Sequence, residues 1–478
     1  MQRCIRGCLS EPDSGHHVEQ VDDGKAESRA ENRWLGGVVT CDWEPSARFF
    51  SSDMIQPIFI PLLYLLSMEL SYVADPSHPP SSSLIIHKDH PFNAEPPLPQ
   101  LVEHYVTPEP TFFKRNHGPI PDIDKTKHRV EVKGLVATNL SLGVEELRSR
   151  FEKVDVVATL ECAGNRRDHL DKVKKTKGVI WSAGAVGTAW WTGARLRDVL
   201  MAAGVRTDPR NRVQATWHVA FEGADECEEE KDKDVGKRGY GSSIPLEKAM
   251  DPLGDVLLAY EMNGKPLSRL HGYPIRVVVP GYIGARSVKW LARITIQAEE
   301  SRAFFQQRDY KILPPFVTSD EEAAEYWDRV PSIGETNVQS VICEPASAED
   351  VRPGMATVRG YAFSDLSIDG GQTWRCADLC QPSTGPRQWS WCLWQARVRL
   401  EKDSRLVCRA VDLAGNTQPE EPMWNYRGVM SNARFRIPDN KVPAQSYEKK
   451  GKKLTQTQPP VHIQAHLSDK KSGTKANF

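Results

Sequence analysis

The hydrophobic pattern changes period along the chain. Apolar and charged residues alternate over 129–136, which predicts a half-buried strand. Residues 155–160 (DVVATL) form a short apolar run, which predicts a buried strand. It runs into Glu161-Cys162-Ala163-Gly164-Asn165-Arg166-Arg167, which reads as a loop. Residues 196–203 and 246–250 predict helices. Residues 276–279 predict a β-branched strand stopped by Pro280-Gly281, and 288–296 another strand. The acidic run 226–233 (ECEEEKDK) reads as a solvated surface loop. Strand and helix signals thus mix over residues 84–330, which predicts an α+β domain.

From 331 to 438 the helical period vanishes. Residues 357–361, 389–400, 405–411 and 433–437 are strand-like, and Asp369-Gly370-Gly371 is a hairpin turn signal. Short strands with turn signals predict a β-sandwich. The flanks differ. Residues 1–83 carry polar, charged runs and a Pro/Ser closing segment, and 439–478 are rich in Lys, Gln and Pro. Both compositions predict disorder.

Composition narrows the class. The chain has 478 residues, enough for more than one core. Lys plus Arg is 62 and Asp plus Glu is 63, so there is no cationic excess for a chain-wide nucleic-acid or membrane-surface binder. With 39% hydrophobic and 26% charged residues, it is neither a disordered chain nor a multi-span membrane protein. The one long apolar stretch, residues 54–68, is shorter than the roughly 20 residues of a membrane span and contains Pro57 and Pro61. Ten cysteines without CxxC spacing predict reduced thiols and an intracellular compartment.

Three segments carry candidate chemistry. Cys162 ends a predicted buried strand and precedes two arginines, a setting that favours thiolate, the form that binds metals. Alone, a loop cysteine is more often structural. Residues 112–121 (FFKRNHGPIP) set Arg115, Asn116 and His117 between an aromatic pair and a proline-bounded turn, where a guanidinium can meet an oxyanion. Residues 271–290 (HGYPIRVVVPGYIGARSVKW) combine glycines with Arg276 and Lys289, a phosphate clamp without a Walker motif. Together they describe a soft metal ligand, a phosphate clamp and arginines for a small anion.

In this combination the sequence resembles the sulfite oxidase family of molybdenum-cofactor enzymes. Eight blocks carry the resemblance, in order: FFKRNHGPIP, ECAGNRR, GTAWWTGARL, GYGSSIP, AYEMNG, the 271–290 segment, RDYK and WNYRGVMSN. It implies a mixed α/β molybdopterin-binding domain followed by an immunoglobulin-like β-sandwich through which the family dimerises. It implies molybdenum held by one pterin dithiolene, with Cys162 as the protein ligand. Phe113, Lys114, Arg115, Asn116, His117, Asp225, His271, Arg276, Ser287, Val288 and Lys289 match cofactor-binding positions. Arg115, Arg167, Trp181, Tyr310 and Arg427 match substrate-binding positions, with Arg115, Cys162 and Tyr310 as the catalytic set. The implied reaction is oxidation of sulfite to sulfate.

The related nitrate reductases share the CAGNRR and RNHG segments. Arg427 matches the sulfite-type arginine, where nitrate reductases carry an apolar residue, and this favours sulfite. An inactive, family-derived binding protein is the alternative from another class; the intact Arg115, Cys162 and Tyr310 set argues against it. No HPGG-type haem motif occurs in residues 1–83, so the resemblance is to the haem-free form, which passes electrons to oxygen or an external acceptor. Peroxisome, cytosol and mitochondrial intermembrane space remain open as compartments. Only Asp365-Leu366 joins YAFS to SIDGG, where the family has a further strand. This predicts an exposed sheet edge and weakens the expectation of a homodimer.

Overall fold

Of two central sheets, the first is built mainly from strands that alternate in burial and the second around apolar runs buried on both faces. The computed structural model describes residues 82–437, apart from 208–213, 233–235, 363–364, 381–387, 402 and 413. The expectations for the leader, for the apolar stretch 54–68 and for the tail lie outside the described residues. Among the described residues no helix is long and apolar enough to cross a membrane.

The first sheet has the order Gly241–Pro245, His218–Gly223, Leu291–Gln297, Val130–Gly134, Leu140–Leu142. Only the Leu291–Gln297 and Val130–Gly134 pair is parallel. His218–Gly223 alternates in burial, as a strand with one covered face must. The second sheet is antiparallel, ordered Lys265–Pro266, Leu257–Met262, Val186–Arg195, Val154–Glu161, with Arg276–Val278 also pairing to Leu257–Met262. Leu257–Met262 is buried at every position, so both of its faces are covered. Gly193 lies in this sheet where a Cβ would meet the Leu258 carbonyl oxygen at 2.2 Å, so only glycine lets the two strands approach.

Short helices close the first layer. Leu196–Ala202 buries Leu196, Val199 and Leu200, an i, i+3, i+4 stripe. Val144–Arg150 opens with Glu145 and Glu146 and ends with Arg148 and Arg150, charges that complement the helix dipole.

The C-terminal part is a sandwich of two four-stranded sheets. One is ordered Val341–Glu344, Gly354–Tyr361, Leu393–Leu400, Asp378–Leu379; the other Arg375–Cys376, Asp365–Ser367, Val407–Arg409, Phe435–Arg436. Leu393–Leu400 alternates buried and exposed through most of its length, and its inner residues share a core with Leu366, Cys408 and Phe435. Leu101, Val102, Ala183 and Val186 join the same core, so the sandwich and the catalytic part pack as one compact unit.

Two expectations are corrected. The acidic run is not a loop: Cys227–Asp232 pairs with Gly236–Arg238 as a hairpin. Its charged residues have low strand propensity, and the hairpin is anchored instead by the buried Cys227. The short Asp365-Leu366 link does not leave a gap. Asp365–Ser367 is itself a strand, paired to Arg375–Cys376 on one side and Val407–Arg409 on the other. The predicted turn at Gly370 and Gly371 connects it to Arg375–Cys376, with both glycines at positive φ.

Candidate active site

Cys162 stands where the Val154–Glu161 strand ends. Its backbone N–H donates to the Ala185 carbonyl at 2.9 Å, and the Gly164 N–H points at its Sγ at 3.4 Å. The chain then turns sharply. Arg166 takes a left-handed φ of 62° and is fully buried, and its N–H donates to the Ser182 carbonyl at 2.6 Å.

The thiol faces a cavity of about 80 Å³. Phe113, Arg115, Asn116 and His117 line it, with Cys162, Asp225 and Tyr310. His271, Arg276, Ser287, Val288 and Lys289 close it. Thus segments predicted separately from the sequence meet at one place. Sequence reasoning gave no role to Tyr240 and Trp290, which also line the cavity. Tyr240 lies in the GYGSSIP block, stacks on Phe305 at 4.4 Å and donates its hydroxyl to the Ala285 carbonyl at 3.0 Å.

Cations dominate this cavity. Arg276 donates to the carbonyls of His271 and Ser287, each at 3.0 Å, and burial lowers its pKa to about 9. Lys289 donates to the Asn116 side-chain oxygen and to the Leu270 carbonyl. Burial, with Arg276 beside it, pushes its pKa well below the ordinary lysine value. Asp225 is the one acid among the lining residues, and its own burial raises its pKa toward the neutral form. Arg115 is the exception among the cations. Burial opposes its charge, but Tyr310, Cys162 and Tyr240 outweigh this and raise its pKa. Burial and the nearby Arg115 keep His117 neutral, so its Nε2 accepts from Arg115 at 2.7 Å. The Tyr310 hydroxyl lies 2.9 Å from the same nitrogen.

Four predicted residues do not line the cavity. Lys114 turns away beneath it, 2.8 Å from His271 Nε2 and 3.5 Å from Glu109. Burial lowers the Lys114 pKa to about 8, while His271 and Lys114 hold Glu109 at about 2 against its burial. Arg167 donates through Nε to the carbonyls of Arg427 and Gly428, and through a terminal nitrogen to Val179. Arg427 is paired with Asp309, yet its buried Nε has no acceptor among the described residues. Trp181 is fully buried in the apolar cluster of Cys162 and Phe113, and its indole N–H also lacks an acceptor.

This donor set fits a molybdenum–pterin group and a small anion. A thiol supplies a soft metal ligand. Arg276 and Lys289 are buried cations without an ion pair among the described residues, with Asp225 as the one acid of the lining, a complement of a phosphate. The unpaired N–H groups of Arg427 and Trp181 suit an anion that brings its own acceptors.

Residues 117–305 match the oxidoreductase molybdopterin binding domain, and residues 330–441 match the Mo-co oxidoreductase dimerisation domain. The mitochondrial sulfite oxidase of Homo sapiens is 46% identical over 382 residues, covering 77% of this chain and 67% of that protein. The sulfite oxidase of Arabidopsis thaliana is 42% identical, covering 76% of this chain and 94% of that protein. This chain belongs to the sulfite oxidase family. Among solved structures, the sulfane dehydrogenase SoxCD from Paracoccus pantotrophus superposes with a TM-score of 0.58 at 25% identity, over 81% of this chain and 92% of that one. The sulfite oxidase family membership accounts for the order of the two halves, a molybdopterin-binding domain followed by a dimerisation domain. The chain is therefore a molybdopterin-type oxidoreductase.

Proposed function

We propose that this protein oxidises sulfite to sulfate, with Cys162 as the protein ligand of a molybdenum–pterin cofactor. The observation that carries the reading is the meeting of Cys162, Arg115 and Tyr310 in one cavity with the Arg276 and Lys289 cations. The bound cofactor would supply the two-electron redox change. Overall, sulfite and water give sulfate, two protons and two electrons.

The chain's own residues do the rest. Arg276 and Lys289 hold the phosphate end of the pterin, with His271 and Ser287 beside them. Arg115, charged at every working pH, draws the dianionic substrate to the thiol side of the cavity and orients it. Arg167 and Arg427 add positive potential from behind. The Tyr310 hydroxyl, next to neutral His117, is placed to donate a hydrogen bond to a bound oxyanion. The electrons leave to oxygen or an external acceptor. The dimerisation domain supports a homodimer.

Sulfite-dependent ferricyanide reduction by the purified, molybdenum-loaded protein tests the reading, with nitrate reduction run beside it. Sulfite turnover that disappears in Cys162→Ser is the expected result. Turnover retained in that variant, or nitrate reduced in preference, overturns it. Visible absorbance of the same preparation tests the expectation of a haem-free chain.

A further inference from the structure

We infer that the C-terminal sandwich positions the Cys162 thiolate, with Gln339 and Tyr361 as the positioning residues. The inference rests on the reading of Cys162 as the metal ligand, and goes beyond dimerisation as the task of this part of the chain.

The strand that delivers Cys162, Val154–Glu161, is the edge of its sheet. An open edge leaves backbone groups unpaired and the strand free to shift. Here residues from the C-terminal part close it. The Thr159 N–H donates to the Trp389 carbonyl at 3.0 Å, and the Trp391 N–H donates to Thr159 Oγ1 at 2.7 Å.

The loop that follows is held at both ends by one side chain. The Gln339 amide donates through Nε2 to Glu161 Oε1 at 2.7 Å and accepts at Oε1 from the Arg166 guanidinium at 2.6 Å. Glu161 and Arg166 bracket Cys162, and Gln339 itself is 6% exposed. Tyr361 adds a second hold. Its hydroxyl accepts from Asn165 Nδ2 at 3.2 Å and donates to the Ala183 carbonyl at 3.1 Å. A third contact runs from the Met430 N–H to the Ala163 carbonyl at 2.7 Å. Within the loop, the Asn165 and Arg167 N–H groups donate to the Cys162 and Gly164 carbonyls, and Asn165 Nδ2 donates to Glu161 Oε1 at 2.9 Å. These fix its shape, and the Cys162 and Arg166 N–H bonds to the Ala185 and Ser182 carbonyls seat it on the neighbouring segment; the C-terminal part adds the holds on the Glu161, Arg166 and Asn165 side chains.

The mechanical consequence is direct. In a buried polar network each partner is fixed by the others, and removing one shifts the rest. Gln339→Met keeps the volume and removes both hydrogen bonds. Tyr361→Phe removes one hydroxyl and leaves the ring.

The test uses the holoenzyme of wild type, Gln339→Met, Tyr361→Phe, Cys162→Ser and Val398→Ala. Val398 is a buried core residue of the sandwich that touches none of these hydrogen bonds, so its variant reports plain destabilisation. The readouts are molybdenum content, the sulfur-to-metal charge-transfer absorption, melting temperature, kcat and KM for sulfite. Gln339→Met and Tyr361→Phe are expected to keep their molybdenum, to shift the absorption band, and to lose roughly tenfold in kcat with KM nearly unchanged. Val398→Ala is expected to melt earlier with the wild-type band. A wild-type band and kcat in both positioning variants overturns the inference, as does the same band shift in Val398→Ala. Should Gln339→Met fail to fold, Tyr361→Phe decides alone. A spectrum that Cys162→Ser leaves unchanged overturns the ligand reading itself, since the dithiolene sulfurs absorb in either case; a band lost there and unmoved in the other two overturns only this inference.

Discussion

At the scale of single residues, the cavity is lined by buried cations that its one acid, Asp225, does not balance. Lys289 shows the consequence most clearly. Burial and Arg276 depress its pKa, so it costs the cofactor-free protein stability while it serves a bound phosphate. Lys289→Met should therefore have opposite signs in the two states. Without cofactor the variant should melt higher, by the equivalent of about 1 kcal/mol. With cofactor it should bind at least about tenfold more weakly, since a hydrogen bond to a charged group contributes about 1.5–3 kcal/mol. Melting curves and molybdenum content check the pair.

His169 gives a pH prediction from outside the cavity. Burial and the adjacent Arg166, whose guanidinium donates to its Nδ1 at 3.1 Å, lower its pKa to about 3. The folded state thus keeps His169 neutral while the unfolded chain protonates near 6.5. Between these values the unfolded state holds more protons, so the contribution is a loss of stability as pH falls from 6.5 to 3. Its slope is up to about 1.4 kcal/mol per pH unit. His169→Gln should flatten the dependence of melting temperature on pH in this window. An unchanged slope would show that His169 titrates normally.

At the scale of elements, two strands and one irregular turn place the chemistry. The Val154–Glu161 strand ends at Cys162, and the Arg276–Val278 strand starts at a clamp residue. Residues Phe305–Asp309 form a π-helical turn that ends at Tyr310, an irregularity often found where a side chain must be aimed at a site. The close pairing of Val186–Arg195 with Leu257–Met262 depends on Gly193. Gly193→Ala would force its neighbour aside and should lower stability by about 2–3 kcal/mol. Thermal denaturation checks this, and molybdenum retention should fall with it because the same sheet carries Cys162.

At the scale of the whole molecule, the two halves are one folding unit. Arg166, fully buried, reaches Gln339 and lies over the Phe435 ring at 5.3 Å. A fragment of residues 82–330 would take from this charge its Gln339 acceptor and from the Thr159 edge its backbone partners at 389 and 391. It should be insoluble, or fail to hold molybdenum, when expressed alone; a soluble, cofactor-loaded fragment would contradict the unity of the fold. The intact chain should sediment as a two-chain particle.

Much of this was legible in the chain by itself. Alternation marked the 129–136 strand, the apolar run marked 155–160, and the loss of helical period marked the sandwich, because burial on one or two faces imposes those periods locally. Local clusters of glycine, arginine and cysteine marked Arg115, Cys162, Arg276 and Lys289, and the family resemblance added most of the other lining residues, though not Tyr240. What tertiary structure decided is everything that depends on partners distant in sequence. It turned Lys114 toward Glu109, and engaged Arg167 with the backbone at 427 and 428. It made a hairpin of an acidic run and a paired strand of a short link. It also set Gln339, a single amide 177 residues beyond Cys162 by position number, across both ends of the metal-ligand loop. Periodicity reports which face a residue shows to the core. It does not report which hydrogen-bond partner waits there, because that partner is chosen by the packing of the completed fold.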